Sequence, residues 1–254
     1  MSTQQLAPAS PQTAWPVFNS KLLGRQEVAE ATMAFHFEKP PGWTFRAGQF
    51  IDMDLIDPPE TDAEGNTRGF SIASAPFEDT IMIASRMRDT AFKRVLKTLP
   101  LGTEVKIEGP FGDLRLHNNA SRPAIVLSGG IGITPFRSIL LQAGKDKRQH
   151  YIFFFYGNRR PEDAPFLDDM RALEREDANF KFIPTMSQME RSHVPWDGER
   201  GRIDKALLSK YVKGVAFAIY YITGPPGMVK ALRTVLRDAG VDDDDIRTEE
   251  FTGY

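Results

Sequence analysis

Apolar and polar residues alternate with a period of two along residues 31–38 and 50–55, and shorter β-type runs follow at 81–85 and 104–108, punctuated by Gly and Pro. This texture predicts the half-buried strands of a small antiparallel barrel or sandwich. One helix interrupts it. Thr90 is a candidate N-cap, Phe92, Val95, Leu96 and Leu99 fall on one face, and Pro100 and Gly102 stop the segment. After residue 123 the period changes. Strand-loop-helix units recur: 124–128 with helix 134–143, 151–156 with helix 165–176, and 216–223 with helix 227–239. Such alternation predicts a parallel sheet with helices on both faces. The pattern therefore divides the chain into a loose arm at 1–16, an antiparallel β-barrel domain at 17–118 and an α/β parallel-sheet domain at 119–254.

The junction of the first such unit carries the most chemistry. The apolar run Ala124-Ile125-Val126-Leu127 empties into Ser128-Gly129-Gly130-Ile131-Gly132-Ile133-Thr134-Pro135. Glycines here let the backbone turn tightly and approach a ligand, and the helix that follows opens with N–H groups that have no internal partner. The loop is a candidate pyrophosphate cradle built on Gly129, Gly130, Gly132, Thr134 and Pro135. It departs from the dinucleotide fingerprint G-x-G-x-x-G, because Pro135 stands where the third glycine would be. A tight strand-to-helix turn without a ligand is the competing reading.

Composition narrows the function classes. A chain of 254 residues with 18 Phe can bury one large core or two ordinary ones. The formal charge of −2, from 32 basic and 34 acidic residues, gives no electrostatic reason to expect nucleic acid or an anionic membrane as partner. The apolar runs are far shorter than the roughly 20 residues of a membrane helix, so a cytoplasmic protein is expected. Zero cysteines exclude disulfides, thiolate catalysis and cysteine-ligated zinc or iron–sulfur centres within these residues, and four scattered His lack ligand spacing, so no metal site is expected. The acidic run 242–245 reads as a solvated loop before a last strand.

The first half has a site of its own, Arg68-Gly69-Phe70-Ser71. It offers an arginine for a phosphate, an aromatic for a flat ring and a hydroxyl for a ring heteroatom, in alternating register on one strand. Taken in order with Gly109-Pro110-Phe111-Gly112, the loop at 129–135 and Gly224-Pro225-Pro226-Gly227-Met228, this strand resembles the ferredoxin–NADP reductase superfamily from about residue 17 to 254. Four ordered motifs are far more specific than any one. The resemblance implies a barrel that binds FAD and a following domain that binds NADH or NADPH.

By that resemblance Arg68 neutralises the FAD pyrophosphate, Phe70 packs on the flavin or ribityl region, and Ser71 hydrogen-bonds near the flavin N5; Gly69 belongs to the same strand. Thr90 and the helix start behind it would aim free N–H groups at the same pyrophosphate. Gly224 and Pro225 join the nucleotide loop, with Thr223 beside the nicotinamide where many members carry cysteine. Phe70 replaces the tyrosine of many members, which removes a hydroxyl and keeps the ring. The terminal Glu249-Glu250-Phe251-Thr252-Gly253-Tyr254 resembles the segment that covers the flavin, and Phe251 and Tyr254 are the candidate lids. Arg159 and Arg160 are candidate donors to a 2′-phosphate, yet Ser187 is followed by Gln188 rather than by arginine, which slightly favours NADH.

The implied activity is hydride transfer from nicotinamide to flavin and onward electron release to a separate acceptor, a ferredoxin, flavodoxin or oxygenase component. Two rivals stand beside it: a non-catalytic electron-relay or regulatory subunit, kept open by Thr223, and a phosphate-ligand enzyme without flavin. The second leaves Arg68 to Ser71 unexplained and lacks both the Lys-Ser/Thr ending of a P-loop and a Ser/His/Asp constellation.

Overall fold

The computed structural model describes residues 15–251, the Val215 side chain excepted, so Tyr254 and nearly all of the expected arm lie outside the described residues. The first half forms strands β1 (Val17–Ala29), β2 (Thr32–Glu38), β3 (Phe50–Leu55), β4 (Thr67–Ser71), β5 (Thr80–Arg86) and β6 (Glu104–Phe111), with helix α1 (Ala91–Thr98) between the last two. These strands make one six-stranded sheet in the order β4-β3-β6-β1-β2-β5, every pair antiparallel. Alternation positions the core. Ile51, Met53 and Leu55 of β3 point inward while Phe50, Asp52 and Asp54 are partly exposed, and the inward set meets Phe35, Phe37, Ile83, Val105, Ile107 and the buried face of α1. The sheet curls until β4 and β5, its two edges, come together without a ladder between them.

The second half contains β7 (Ala124–Gly129), α2 (Ile133–Lys145), β8 (Ile152–Asn158), α3 (Leu167–Glu176), β9 (Phe180–Met186), β10 (Glu199–Arg200), α4 (Lys205–Tyr211), β11 (Ile219–Gly224), α5 (Pro226–Asp238) and β12 (Ile246–Glu250). Its sheet is wholly parallel, in the order β10-β9-β8-β7-β11-β12. β7 and β11 are buried along their whole length, as expected of central strands covered on both faces. One apolar cluster lies under α2 and α3, the other under α4 and α5. The acidic run at 242–245 is an ion-paired corner rather than a merely solvated loop: Asp243 meets Arg233 and Arg237, and Asp245 takes Arg122 through two guanidinium nitrogens.

The two halves are joined by residues 112–123 and share a packed boundary. Ala34, Ala73, Met82 and Ala84 of the first half belong to the cluster under α2. Arg137, one turn into α2 and largely buried, donates to the Ala73 carbonyl (2.9 Å) and pairs with Glu78 (2.8 Å) and Asp169 (2.6 Å). Burial alone would raise the Glu78 carboxyl, but the Arg137 bonds outweigh it and hold Glu78 below the usual carboxylate range. The connecting segment is itself anchored, because the backbone N–H of buried His117 donates to the Tyr221 hydroxyl (2.8 Å) and His150 Nε2 lies 2.9 Å from the His117 carbonyl.

Candidate functional site

Among the cavities along this boundary, two hold the residues expected at a site. The first, of about 460 Å³, opens at the seam between β4 and β5, where neither edge strand has a ladder partner across the gap. Arg68, Gly69, Phe70 and Ser71 of β4 line it together with Ser85 and Arg86 of β5, Thr90 and Lys93 of the α1 start, and Arg88 between them. Ile131, Thr134 and Phe251 close it from the nucleotide-loop side. All four residues of the Arg68–Ser71 segment thus meet at one cavity. Phe70 packs on Phe92 with ring centroids 5.9 Å apart, and the Arg68 guanidinium lies 5.2 Å from the same Phe92 ring.

This cavity carries four cations, Arg68, Arg86, Arg88 and Lys93, which makes it a site for an anionic group. Burial pushes the Lys93 ammonium down to about 8, helped by the charges of Arg88 and Arg68, and its Nζ donates to the Arg86 carbonyl (2.6 Å). The loop at 56–66 brings acids to the same place. The Asp62 carboxylate accepts from the Ala91 N–H at the first turn of α1 (2.8 Å) and lies 3.9 Å from Arg68, while Glu64 pairs with Arg68 at 2.9 Å. That backbone hydrogen bond is the main reason the Asp62 carboxyl sits below the usual carboxylate range. A carboxylate of the chain itself therefore occupies the anion position expected at this helix start, and Thr90 spends its hydroxyl oxygen on the cap, accepting from Lys93 N–H (3.4 Å).

The second cavity, about 630 Å³, lies beyond the carboxyl ends of β7, β8, β9 and β11, at the point where the strand order reverses on either side of β7. Gly129 and Gly130 form its floor, and Gly157, Asn158, Ser187, Gln188, Pro225 and Met228 its walls. The glycines have specific reasons. A Cβ on Gly129 would stand 2.5 Å from the Met228 sulfur, and one on Gly132 would meet the backbone of Thr223 and Gly224 at 3.0 Å. Tyr156 fastens the loop from below by donating to the Gly130 carbonyl (2.9 Å).

The expected nucleotide residues separate here. Gly129, Gly130, Arg159 and Pro225 line the second cavity, whereas Thr134 lines the first, and Gly132, Pro135, Arg160 and Gly224 are not among the lining residues of either. Arg160 is bound instead to Asp163 (2.9 Å) and across the boundary to Glu30 (2.6 Å). Thr223 is fully buried and turns its hydroxyl into the loop, donating to the Gly132 carbonyl at 2.7 Å with the Ser128 hydroxyl 3.1 Å away. Glu249, its register partner on β12, has a carboxyl raised by burial.

Sequence reasoning missed Arg86, Arg88, Lys93 and Arg202 as lining residues. The pair Arg86-Met87-Arg88 directly after an apolar strand was a usable signal, and so was Lys93 one turn beyond the candidate cap. Among the described residues no group of acidic and His side chains is arranged to hold a metal ion, and no helix is long and apolar enough to cross a membrane.

Comparison with known proteins agrees with this geometry. Residues 126–234 match the family model described as oxidoreductase NAD-binding domain. Over 199 residues the chain is 29% identical to reductase component 1 of terephthalate 1,2-dioxygenase from Comamonas sp, covering 78% of this chain and 56% of that protein. It spans less than two thirds of the length of the curated relatives it resembles in this way. Among solved structures, the FAD/NAD-binding domain of nitric oxide dioxygenase from Vibrio cholerae superposes with a TM-score of 0.79 at 18% identity, over 92% of this chain and 98% of that one. A ferredoxin NADP+ reductase from Neisseria gonorrhoeae with bound FAD and NADP gives 0.76 at 22% identity, over 92% and 98%. A barrel with the Arg68–Ser71 strand is thus followed by a parallel sheet whose glycine loop lies within the match to the oxidoreductase NAD-binding domain, and together they have the two-domain fold of these FAD/NAD-binding reductases.

Proposed function

We propose that the protein takes hydride from NADH or NADPH onto a non-covalently bound FAD and passes the electrons to a separate acceptor protein, a ferredoxin, flavodoxin or oxygenase component. The observation that carries this reading is the common wall of the two cavities. Arg86 lines both, and the seam cavity is closed by Ile131 and Thr134 of the same loop whose Gly129 and Gly130 floor the nucleotide cavity. Such adjacency is what a direct transfer between two rings held roughly 3–3.5 Å apart requires. When bound, the flavin supplies a ring that accepts electrons as a pair and releases them singly.

The chain's own residues bind, orient and exclude water. Arg68, Arg88 and Lys93 hold the diphosphate by charge, Phe70 offers a ring face, and the Ser71 hydroxyl, on a buried strand end, serves the edge of the flavin ring. Phe251, tied down by its N–H to the Gly224 carbonyl (3.1 Å), covers the cavity from the nucleotide side until nicotinamide takes its place. Gly129, Gly130 and Pro225 receive the dinucleotide backbone. NADH is favoured by Gln188 after Ser187, although Arg159 and Arg202 line the same cavity, so both donors enter the test. The division at 17–118 and 119–254 accompanies this reading, with each half contributing one cavity floor.

A relay subunit without its own turnover is the second reading, favoured by Thr223, whose hydroxyl braces the loop rather than lining a cavity. Anaerobic stopped-flow of the purified protein separates the two. Flavin absorption bleached by NADH or NADPH supports the reductase, and flavin absorption that persists under either donor supports the relay.

A further inference from the structure

We infer that Arg86 is a ligand shared by both nucleotides, kept near the wall between their cavities by attraction to the buried carboxylate of Asp163, so that the flavin and nicotinamide sites bind their diphosphates through one guanidinium. The inference rests on the two-nucleotide reading above and names a residue at its centre that no sequence motif marks.

Arg86 is the last residue of β5 and its side chain is 22% exposed, enough to reach a ligand but not to drift in solvent. It lines the seam cavity and the nucleotide cavity at once. Its counter-ion comes from the other half of the molecule: Asp163 Oδ1, 3.6 Å away, follows β8 and is 5% exposed. The same carboxylate faces Arg160 at 2.9 Å and Arg159 at 3.3 Å. Among the described residues, the carboxylates within ion-pair distance of these three arginines are Asp163 and Glu30. Arg160 is matched by Glu30 and feels Glu162 as well, so Arg86 and Arg159, which both line the nucleotide cavity, have only a share of the Asp163 carboxylate between them. An uncompensated charge in a partly buried place is costly unless an anion completes it.

Arg86 is the member free to do so. Arg160 is held by short hydrogen bonds on both sides and faces neither cavity, whereas the 3.6 Å contact of Arg86 is too long for a hydrogen bond, so it supplies attraction without fixing the head group. Asp163 keeps its charge for this task. Burial alone would raise its carboxyl, but the Arg160 hydrogen bond and the charges of Arg159, Arg160 and Arg86 outweigh burial and hold it below the usual carboxylate range. The ligand chemistry that fits is a dinucleotide diphosphate on either side. A cation placed between two polyanions also screens their mutual repulsion, which makes the affinity of one site depend on occupancy of the other, and equally in both directions.

The experiment uses flavin-loaded protein. Binding of NAD+ and NADP+ is measured by calorimetry, and flavin retention on dialysis is measured with and without saturating nucleotide, for wild type, Arg86→Gln and Arg86→Lys. We expect Arg86→Gln to weaken the preferred nucleotide by about ten- to a hundredfold and to lose flavin faster when nucleotide is present than when it is absent. Arg86→Lys, which keeps the charge without the fork, should fall between the two; it also keeps the test decisive if the glutamine variant does not fold, because a lysine variant equal to wild type in both measurements overturns the inference. Weakening confined to one of the two ligands overturns it as well. A wild type that holds no flavin overturns the functional reading instead, and does so before any variant is made.

Discussion

The two cavities differ in how the chain prepares them. The nucleotide cavity is kept open by absence: Gly129 leaves room that a Cβ would take under Met228, and Gly132 lets the loop pack directly on the Thr223–Gly224 backbone. The seam cavity is instead filled with charge that the chain satisfies itself, Arg68 by Glu64 and Asp62, and the α1 start by Asp62. Ligand binding on one side occupies prepared space. On the other it exchanges an internal carboxylate for a phosphate, so removing a cation and removing a carboxylate there should act with opposite sign.

Arg68→Ala is the heaviest blow to the seam cavity. It deletes a charge-assisted phosphate partner and leaves Asp62 and Glu64 to repel the diphosphate, so FAD affinity should fall by about 1.5–3 kcal/mol, roughly ten- to a hundredfold. Equilibrium dialysis of the purified variant checks it, and full flavin retention would remove Arg68 from the site.

Gly132→Ala tests the prepared space. Its Cβ meets backbone at 3.0 Å rather than a flexible side chain, so overpacking should cost about 1–3 kcal/mol and raise the KM for the nicotinamide donor while flavin content stays unchanged. Donor KM values and the flavin-to-protein ratio decide whether the damage is confined to that side.

Acid should weigh on the second half through two histidines and on the barrel through one, His36 of β2, whose pKa is likewise lowered chiefly by burial. His117 and His150 lie under the nucleotide sheet with pKa values lowered mainly by burial. His117 Nε2 faces the Arg122 carbonyl and Nδ1 faces a Tyr221 hydroxyl that already accepts the His117 N–H and, at 3.3 Å, Arg247, so a second ring proton has nowhere favourable to go. His150 Nδ1 is buried without a hydrogen-bond partner. Folded imidazoles that protonate below the ordinary value of about 6.5 mean that the unfolded chain binds more protons there, so stability is lost as pH falls from about 6.5 through the lowered values. Thermal unfolding between pH 7.5 and 5, followed by near-ultraviolet circular dichroism and by flavin fluorescence, should show nucleotide-half signals melting first.

The smallest expected effect has the opposite sign. Asp62→Asn removes the carboxylate that competes with phosphate at the α1 start, and FAD should bind about two- to fivefold more tightly, the modest scale of exposed charge pairs. Weaker binding in the same dialysis assay would mean that Asp62 supports the site instead of guarding it.

Much of the fold was legible because its signals are local. The alternation in β3 and the unbroken apolar run of β7 follow directly from one buried face and from two. β1 escaped notice although it is the longest strand: register shifts between Leu22 and Gly24 and between Glu27 and Ala29 break its period of two. β10, with two residues, and α4, with seven, are too short for periodicity to show. At the site, Arg68–Ser71 and the glycine loop could be read because their chemistry is contiguous. The Arg86-Met87-Arg88 pair marked a basic strand end, but the tie of Arg86 to Asp163, 77 positions away, and the role of Asp62 at a helix 29 residues later are tertiary and could not be read. Thr223 lies beside the loop, and its hydroxyl bond to the Gly132 carbonyl depends on a neighbour 91 positions away that periodicity does not reveal.

Arg137 has a mechanical consequence. It sits one turn beyond the glycine loop and is bolted to the barrel through Ala73 and Glu78 and to α3 through Asp169. The loop that would present nicotinamide is therefore on the barrel's side of any hinge. Thermal opening of the molecule would swing the elements farther from this anchor and would leave the gap between the two reacting rings unchanged. Breathing would then govern how fast a spent dinucleotide leaves, and the distance over which hydride moves would be set once, when the chain folds.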